Sequence, residues 1–426
     1  MEPAAIAPAN SRVSASSSAR VVPLLWGFAF LSYVLRMNIA VAQQYMARDL
    51  DWSDIQVGGV LTAFLAGYTL FQIPGGILGD RFGPRLVLAI SGLWWGVTTV
   101  LTGWVPGYIL SGSSAAFIGV IVLRFLHGVG QATTYPVAIT AVSRWFPLER
   151  HAFIASLIFT GSTAGSAFAP PLVAHIMNWF GWRATFYWTG VLPIVLAGFW
   201  FVGTRRFSAQ NRDGAAPSVR FKLSDSWPLL RSRNVLALCT SYFLYCYAIS
   251  IFVYWLFKYL VDVRHLNIVN SGWANSLPWI AASIAVPVFG WLGTRIAKYT
   301  GIFQARRAIA VVCLVVAALL MYLGAMAETI GLAITAITFS VALLFSTESS
   351  YWSTSIEVAR QNAGTSGGLM NLAGNLGGVA ATSLVPVLVL HFGWLVALSS
   401  GSVFALLAAI TWFAIANPPK GIEIDL

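Results

Sequence analysis

The sequence predicts an all-α integral membrane protein of twelve transmembrane helices, arranged as two six-helix, pseudo-symmetric halves. Three observations lead there. Apolar residues make up 58% of the 426 positions and charged residues 9%, with a mean hydropathy of +0.76, whereas a soluble domain carries about 25% charged residues. Apolar runs recur roughly every 30 to 35 residues, and a span needs about 20. Short pieces of the first half return in the second.

Breaking the apolar runs at charges and Gly/Pro clusters gives spans near 22–46, 55–79, 86–105, 115–140, 150–177, 184–203, 235–260, 271–295, 307–326, 330–352, 361–390 and 393–416. The Ala/Ser/Pro-rich residues 1–20 lack the apolar stretch of a secretory signal and read as a disordered cytoplasmic tail. Residues 21–203 form the first six-helix half and 234–416 the second. The basic, polar segment 204–233 is a cytoplasmic linker, and 417–426 is a second tail. With twelve spans both termini share one side, which collects Arg81, Arg85, Arg144, Arg150, the linker cations, Arg295, Lys298, Arg306, Arg307, Arg360 and Lys420. The other side receives Arg48, Arg183, Lys258 and Arg264. The excess of Lys and Arg in short loops marks the cytoplasmic side, so both termini are expected there, in a plasma membrane of the bacterial inner-membrane kind.

This topology also accounts for the formal net charge of +11. The cations sit in short loops and not on one solvated face, which argues against nucleic acid. Cys239, Cys246 and Cys313 lie in apolar runs without metal-ligand spacing and read as packing residues. No cofactor or metal is expected. A channel would need a repeated pore-lining pattern, and an enzyme would need clustered ligands or a nucleophile with its base; neither pattern is present, so the chain is not expected to be an enzyme. A transporter-like sensor would need an output module.

The internal repeat is clearest where Gly181-Trp182-Arg183-Ala184-Thr185-Phe186 returns as Gly393-Trp394-Leu395-Val396-Ala397-Leu398. Pro170-Pro171-Leu172 is echoed by Val385-Pro386-Val387, and Gly76-Ile77-Leu78-Gly79-Asp80-Arg81 by Gly290-Trp291-Leu292-Gly293-Thr294-Arg295. Duplicated halves around a central axis suit a mid-membrane cavity exposed alternately to each side. Gly161, Gly165, Gly367, Gly368, Gly374, Gly377 and Gly378 place small residues where helices can approach closely.

Gly75-Gly76-Ile77-Leu78-Gly79-Asp80-Arg81-Phe82-Gly83-Pro84-Arg85 resembles the loop signature between helices 2 and 3 of the major facilitator superfamily. Further stretches resemble its anion:cation symporter branch of sugar-acid and organic-anion transporters: Arg36-Met37-Asn38-Ile39-Ala40-Val41-Ala42, Arg124-Phe125-Leu126-His127-Gly128, Trp145-Phe146-Pro147, Ser276-Leu277-Pro278-Trp279, and Gly367-Gly368-Leu369-Met370-Asn371 followed by Gly374-Asn375-Leu376-Gly377-Gly378. The resemblance implies the major facilitator fold. It also implies a gating motif of Gly76, Asp80, Arg81, Gly83 and Arg85, in which Asp80 and Arg81 latch across the two halves and close the cytoplasmic side.

An arginine in mid-span costs about 2.5 to 3.5 kcal/mol even on the lenient insertion scale, so Arg36 and Arg124 demand a function. Two fixed guanidiniums at similar depth would draw a carboxylate or phosphate, because Arg offers paired donors and stays charged. Arg124, His127, Gln131 and Tyr135 fall at i, i+3, i+7 and i+11, on one helix face expected to line the cavity. Asn38, Tyr242, Tyr245, Asn371 and Asn375 would add hydroxyl and amide contacts to a polyol chain. Gln131 stands where many branch members carry an acid, and Leu35 where an acid often precedes the span-1 Arg. The coupling candidates left are His127, which titrates near neutrality, and Glu348, placed near the cytoplasmic end of span 10. Lys258 either adds an outer positive charge or anchors span 7. The expectation is a monomeric secondary active transporter of a small organic anion such as a hexonate, hexuronate or other carboxylate, by alternating access with H+, or else Na+, as the coupling ion. A facilitative uniporter or anion exchanger is the alternative.

Overall fold

The computed structural model describes residues 15–110, 112–146, 150–205, 231–359 and 363–416. Helices account for almost all of them: α1 (Ala15–Leu50), α2 (Asp54–Phe82), α3 (Pro84–Trp104), α4 (Ser113–Gln131), α5 (Thr134–Trp145), α6 (His151–Phe180), α7 (Trp182–Gly203), α8 (Arg233–Asp262), α9 (Ile268–Thr300), α10 (Ile302–Met326), α11 (Ile330–Ser346), α12 (Glu348–Ala359) and α13 (Ala363–Thr411). Eleven described helical segments are long and apolar enough to cross a membrane. One of them, Ser366–Ala414, has 49 residues, about 74 Å of helix at 1.5 Å per residue. That is more than twice the roughly 30 Å of a hydrocarbon core. Gly393, at φ 79° and ψ 173°, breaks it into two spans, so the described residues hold twelve. The expected residues 1–14, most of the linker (206–230), Pro147, Arg360 and the tail 417–426 with Lys420 lie outside the described residues.

Local chemistry sets the helix ends. Ser53 caps α2 in a capping box, with Gln56 Oε1 accepting from the Ser53 amide at 2.9 Å. Asn267 caps α9 by accepting from the Asn270 amide at 2.8 Å. Among the described residues, six of the eight positive-φ residues fall in pairs separated by about half the chain: Gly83 with Gly301, Gly181 with Gly393, and Asp51 with His265. Each pair turns the backbone at the same place in its half, so the duplication seen in sequence is also a duplication of turn geometry.

Three boundaries differ from the sequence expectation. α1 begins at Ala15, inside the stretch expected as tail. Span 4 breaks after Gln131 and span 10 breaks at Thr347, and both then continue, to Trp145 and Ala359. Both breaks have the same cause. Thr133 and Thr134 donate to the Gly130 and Gln131 carbonyls at 2.9 and 2.7 Å, and Ser346 and Thr347 donate to Ala342 and Leu344 at 2.8 and 2.7 Å. Hydroxyls that bond backbone carbonyls compete with the helical ladder and bend it.

Close packing brings the functional helices together. A Cβ on Gly67 would lie 2.2 Å from the Phe125 carbonyl oxygen, and one on Gly128 would lie 2.1 Å from that of Phe64, so α2 and α4 touch backbone to backbone. Gly377 does the same for α13 and α8 against Phe243. One large buried cluster joins both halves on the side opposite the termini, including Trp52, Leu61, Phe64, Tyr254 and Trp255. A second cluster, with Phe28, Trp95 and Trp200, belongs to the first half alone.

Gly128→Val should lower the melting temperature of the detergent-solubilised protein, since overpacking costs about 1 to 3 kcal/mol or more where backbone is the obstacle. Gly198→Ala, where a Cβ meets nothing within 4 Å, should leave it unchanged or raise it slightly. Equal behaviour of the two variants would contradict the packing described here.

Candidate anion-binding site

Arg36 on α1 and Arg124 on α4 meet over one aromatic ring. Their guanidinium carbons lie 5.3 and 5.1 Å from the centroid of Phe64 on α2, which the close α2–α4 contact places between them. Tyr68 and Tyr33 complete a cage around Arg36 at 4.3 and 5.0 Å. Aromatic faces attract a cation by their quadrupole, with about 2 kcal/mol available when desolvated, and they leave the hydrogen-bonding edge of the guanidinium unspent. Arg124 is 1% exposed, and neither arginine forms an ion pair among the described residues. Arg36 Nη2 and Arg124 Nε are buried without an acceptor. A buried charge lacking a partner is costly, and a small anion reaching both groups would relieve that cost for each.

Gln131 ties this pair to its surroundings. Its Oε1 accepts from Arg36 Nε at 2.9 Å, while its Nε2 donates to the Ser32 carbonyl at 3.0 Å and faces His127 Nε2 at 3.2 Å. That assigns His127 Nε2 as an acceptor and Nδ1–H as the donor to Thr98 Oγ1 at 2.9 Å, whose hydroxyl donates in turn to the Trp94 carbonyl at 2.8 Å. His127 is therefore a fully enclosed neutral imidazole with both nitrogens engaged, turned toward α3. The last member of the expected stripe, Tyr135, lies past the break after Gln131 and stays within electrostatic range of Arg36. Tyr135 stacks on Phe159 at 5.4 Å and bonds Ser162 of α6.

Of the remaining residues singled out in sequence, Asn38 lies apart, donating to Thr189 Oγ1 at 2.6 Å in the α1–α7 interface. Tyr242 of α8 donates to Glu348 Oε1 at 2.7 Å, and Tyr245 stacks between Tyr242 and Tyr351 at 5.5 and 5.3 Å. Glu348 is the first residue of α12, and because span 10 runs on to Ala359 it sits about 17 Å from that helix end, deeper than the sequence boundaries suggested. Asn371 donates across the halves to Gln72 Oε1 at 2.7 Å, and Asn375 Nδ2 is buried without a partner. Tyr33, Phe64, Tyr68 and Gln72 were not singled out from sequence. The signal available was helical register, since Tyr33 precedes Arg36 by three residues and Tyr68 follows Phe64 by four.

The residues of the expected gating motif make these contacts. Arg144 Nη2 bonds the Asp80 carbonyl at 2.8 Å and lies 3.7 Å from its carboxylate, so Asp80 ties α2 to α5. Arg81 stacks on its neighbour Phe82, and Arg85 bonds the Phe201 carbonyl of α7 at 2.9 and 3.1 Å. Gly83 supplies the positive-φ turn, and Gly76 passes Pro136 at contact distance. The halves are fastened instead at the far side. Lys258 of α8 is nearly buried between Asp54 of α2 at 3.1 Å and Asp262 at 2.5 Å; Asp262 also meets Gln44 and Arg48 of α1. Gln43 donates to the Tyr254 carbonyl at 2.6 Å, and Ser276 to that of Ala167 at 2.6 Å. Lys258 thus serves as the centre of a cross-half ion cluster, a role that its position in the sequence does not reveal.

Comparison with known proteins matches the profile described as Major Facilitator Superfamily to residues 25–382. The chain is 28% identical over 423 residues to the hexuronate transporter of Bacillus subtilis, covering 95% of this chain and 97% of that protein. It is 30% identical to the "Probable sulfoacetate transporter SauU" of Cupriavidus necator, covering 86% and 84%. Among solved structures, a bacterial homolog of the human lysosomal transporter Spinster superposes with a TM-score of 0.78 at 16% identity, over 94% of this chain and 97% of that one.

Millimolar carboxylate should raise the melting temperature of the purified protein, since a ligand at 100 times its Kd adds about 2.7 kcal/mol. Arg124→Gln should abolish most of that shift while a neutral polyol of the same size gives none in either protein. A shift of wild-type size in Arg124→Gln would remove Arg124 from the site.

Proposed function

The chain belongs to the major facilitator superfamily, and from that premise we propose that it is a secondary active transporter of a small organic anion, working by alternating access. The observation that carries the proposal is the pair of guanidiniums gathered on Phe64 without a carboxylate. A neutral sugar could only accept hydrogen bonds from the two guanidiniums and would leave both charges uncompensated, whereas an anion accepts those bonds and neutralises charge as well. A sugar acid such as a hexonate or hexuronate is the substrate class we favour, with the polar groups of Tyr33, Tyr68, Tyr242 and Asn375 available to its hydroxyls. The names of the hexuronate and sulfoacetate relatives agree with an anion. Two charges also accommodate a dianion. A single chain supplies every group of the site, so we take the monomer as the working unit, in a plasma membrane with both termini cytoplasmic.

The conformation supports alternating access. The far side is closed by the Lys258 cluster and by the apolar cluster shared between halves, while a second buried cluster belongs to the first half alone. We read this as the inward-facing state. Opening outward must break the Lys258–Asp54 contact, and closing the cytoplasmic side frees Asp80 to engage the second half. H+ is the coupling ion we propose. Gln131 and Leu35, standing where many branch members carry acids, favour uniport or exchange as the second reading.

Uptake of labelled glucuronate and sulfoacetate into proteoliposomes, with pH, sodium and voltage gradients imposed singly, tests the proposal: uphill accumulation under a pH gradient is the expected result, and no uptake of either anion, nor of other small carboxylates, would overturn it. Lys258→Ala should also speed labelling of a Thr62→Cys probe by an impermeant maleimide from the far side several-fold, because Thr62 lies in the closed face at 2.8 Å from Thr382. An unchanged rate would show that the ion cluster is not the gate.

A further inference from the structure

We propose that Glu348 is the proton-binding carboxylate of this carrier, and that its charge on the cavity wall decides whether the two arginines hold a substrate anion. The inference rests on the reading of the chain as a proton-coupled anion transporter and moves the coupling site from the first half to the second.

The chain has 14 acidic residues, and their placement leaves few candidates. Asp49, Asp54 and Asp262 sit at the far side in ion pairs with Arg183, Lys258 and Arg48. Asp80 closes α2 beside Arg144, and Glu357 is paired with Arg306 at 2.5 Å. Asp51 and Glu328 lie in turns between spans. Glu348 alone among the described carboxylates stands deep in a span without a cation. Its partners are neutral donors: Tyr242 Oη at 2.7 Å and Trp352 Nε1 at 3.1 Å converge on Oε1, and the Tyr245 hydroxyl is also hydrogen-bonded to the carboxylate. A proton on Oε2 leaves the Tyr242 and Trp352 bonds intact, and the Tyr245 hydroxyl can turn from donating to accepting, so the same pocket holds the acid and its conjugate base. The residue is partly exposed, not sealed in the core.

Every element around it supports this reading. From α8 it faces Tyr242, Tyr245 and Cys246, and from its own helix Tyr351. On α10, Arg306 is committed to Glu357 and Arg307 to the Ile415 carbonyl. α13 presents Asn371 and Asn375, which do not titrate. From the first half, Tyr33 of α1 lies within electrostatic range of both Arg36 and Glu348. The ionised carboxylate thus opposes a substrate anion in the same space that the arginines favour it. Protonation removes the opposing charge. By linkage, proton and anion then strengthen each other's binding by the same factor, which is the thermodynamic requirement for symport. His127, with both nitrogens engaged and no exposure, does not offer this.

The test uses the full chain in proteoliposomes with labelled glucuronate or sulfoacetate, whichever the wild type accumulates under a pH gradient. Glu348→Gln keeps an acceptor for Tyr242 and Trp352 and mimics the protonated state. It should retain counterflow exchange within about threefold of wild type, lose pH-driven accumulation at least tenfold, and flatten the pH dependence of binding. Glu348→Asp should keep both activities. Wild-type accumulation in Glu348→Gln would overturn the inference, as would loss of counterflow together with accumulation, since a structural role would then suffice. A wild type that transports these anions without a proton requirement would overturn this inference alone; a wild type that transports no anion would overturn the proposed function beneath it.

Discussion

Two positive charges held in the middle of a low-dielectric span without a fixed counterion constrain everything else in this molecule. Such charges are tolerated only where water, aromatic faces or a ligand stands in for the missing carboxylate. Phe64, Tyr33 and Tyr68 supply the faces. Gly67 and Gly128 let α2 and α4 approach closely enough to put Phe64 between the arginines. Gln131 supplies one oriented oxygen to Arg36 and no charge. An acid at that position would neutralise Arg36 and compete with the substrate; the amide fixes its orientation and leaves the charge available.

The same logic explains where the carboxylates went. At the far side they pair with Lys258, Arg48 and Arg183, and they close a face of the protein instead of tuning the cavity. Partly buried ion clusters of this kind contribute little net stability but are specific about which surfaces meet, which suits a contact that must form and break in each cycle. The one deep acid sits on the opposite half from the arginines. In the proposed cycle, charge recognition and charge control are thereby carried by separate halves.

Much of this was legible in the sequence, and the rest was hidden for physical reasons. Composition and run length gave twelve spans, and the repeated Gly181 and Gly393 turns gave the two halves. Arg36 and Arg124 stood out because their cost in a bilayer is large and specific. Helical periodicity is interrupted in two spans: the hydroxyls of Thr133–Thr134 and Ser346–Thr347 break spans 4 and 10, which sets Tyr135 against Phe159 and Ser162 and carries Glu348 deeper. Asn38 has the polarity of a binding residue but satisfies Thr189 in a helix interface. The partner of Asp80 depends on conformation, and that of Lys258 on the distant Asp54; neither is a property of a local sequence window.

The most direct measurement of the central claim is a structure of the wild-type protein with a bromine-substituted carboxylate bound, located by the anomalous signal of bromine. The account predicts the carboxylate within hydrogen-bonding distance of Arg36 Nη2 and of the Arg124 guanidinium, with the brominated end toward Tyr242 and Glu348. A carboxylate bound elsewhere, with both guanidiniums still unpartnered, would contradict it.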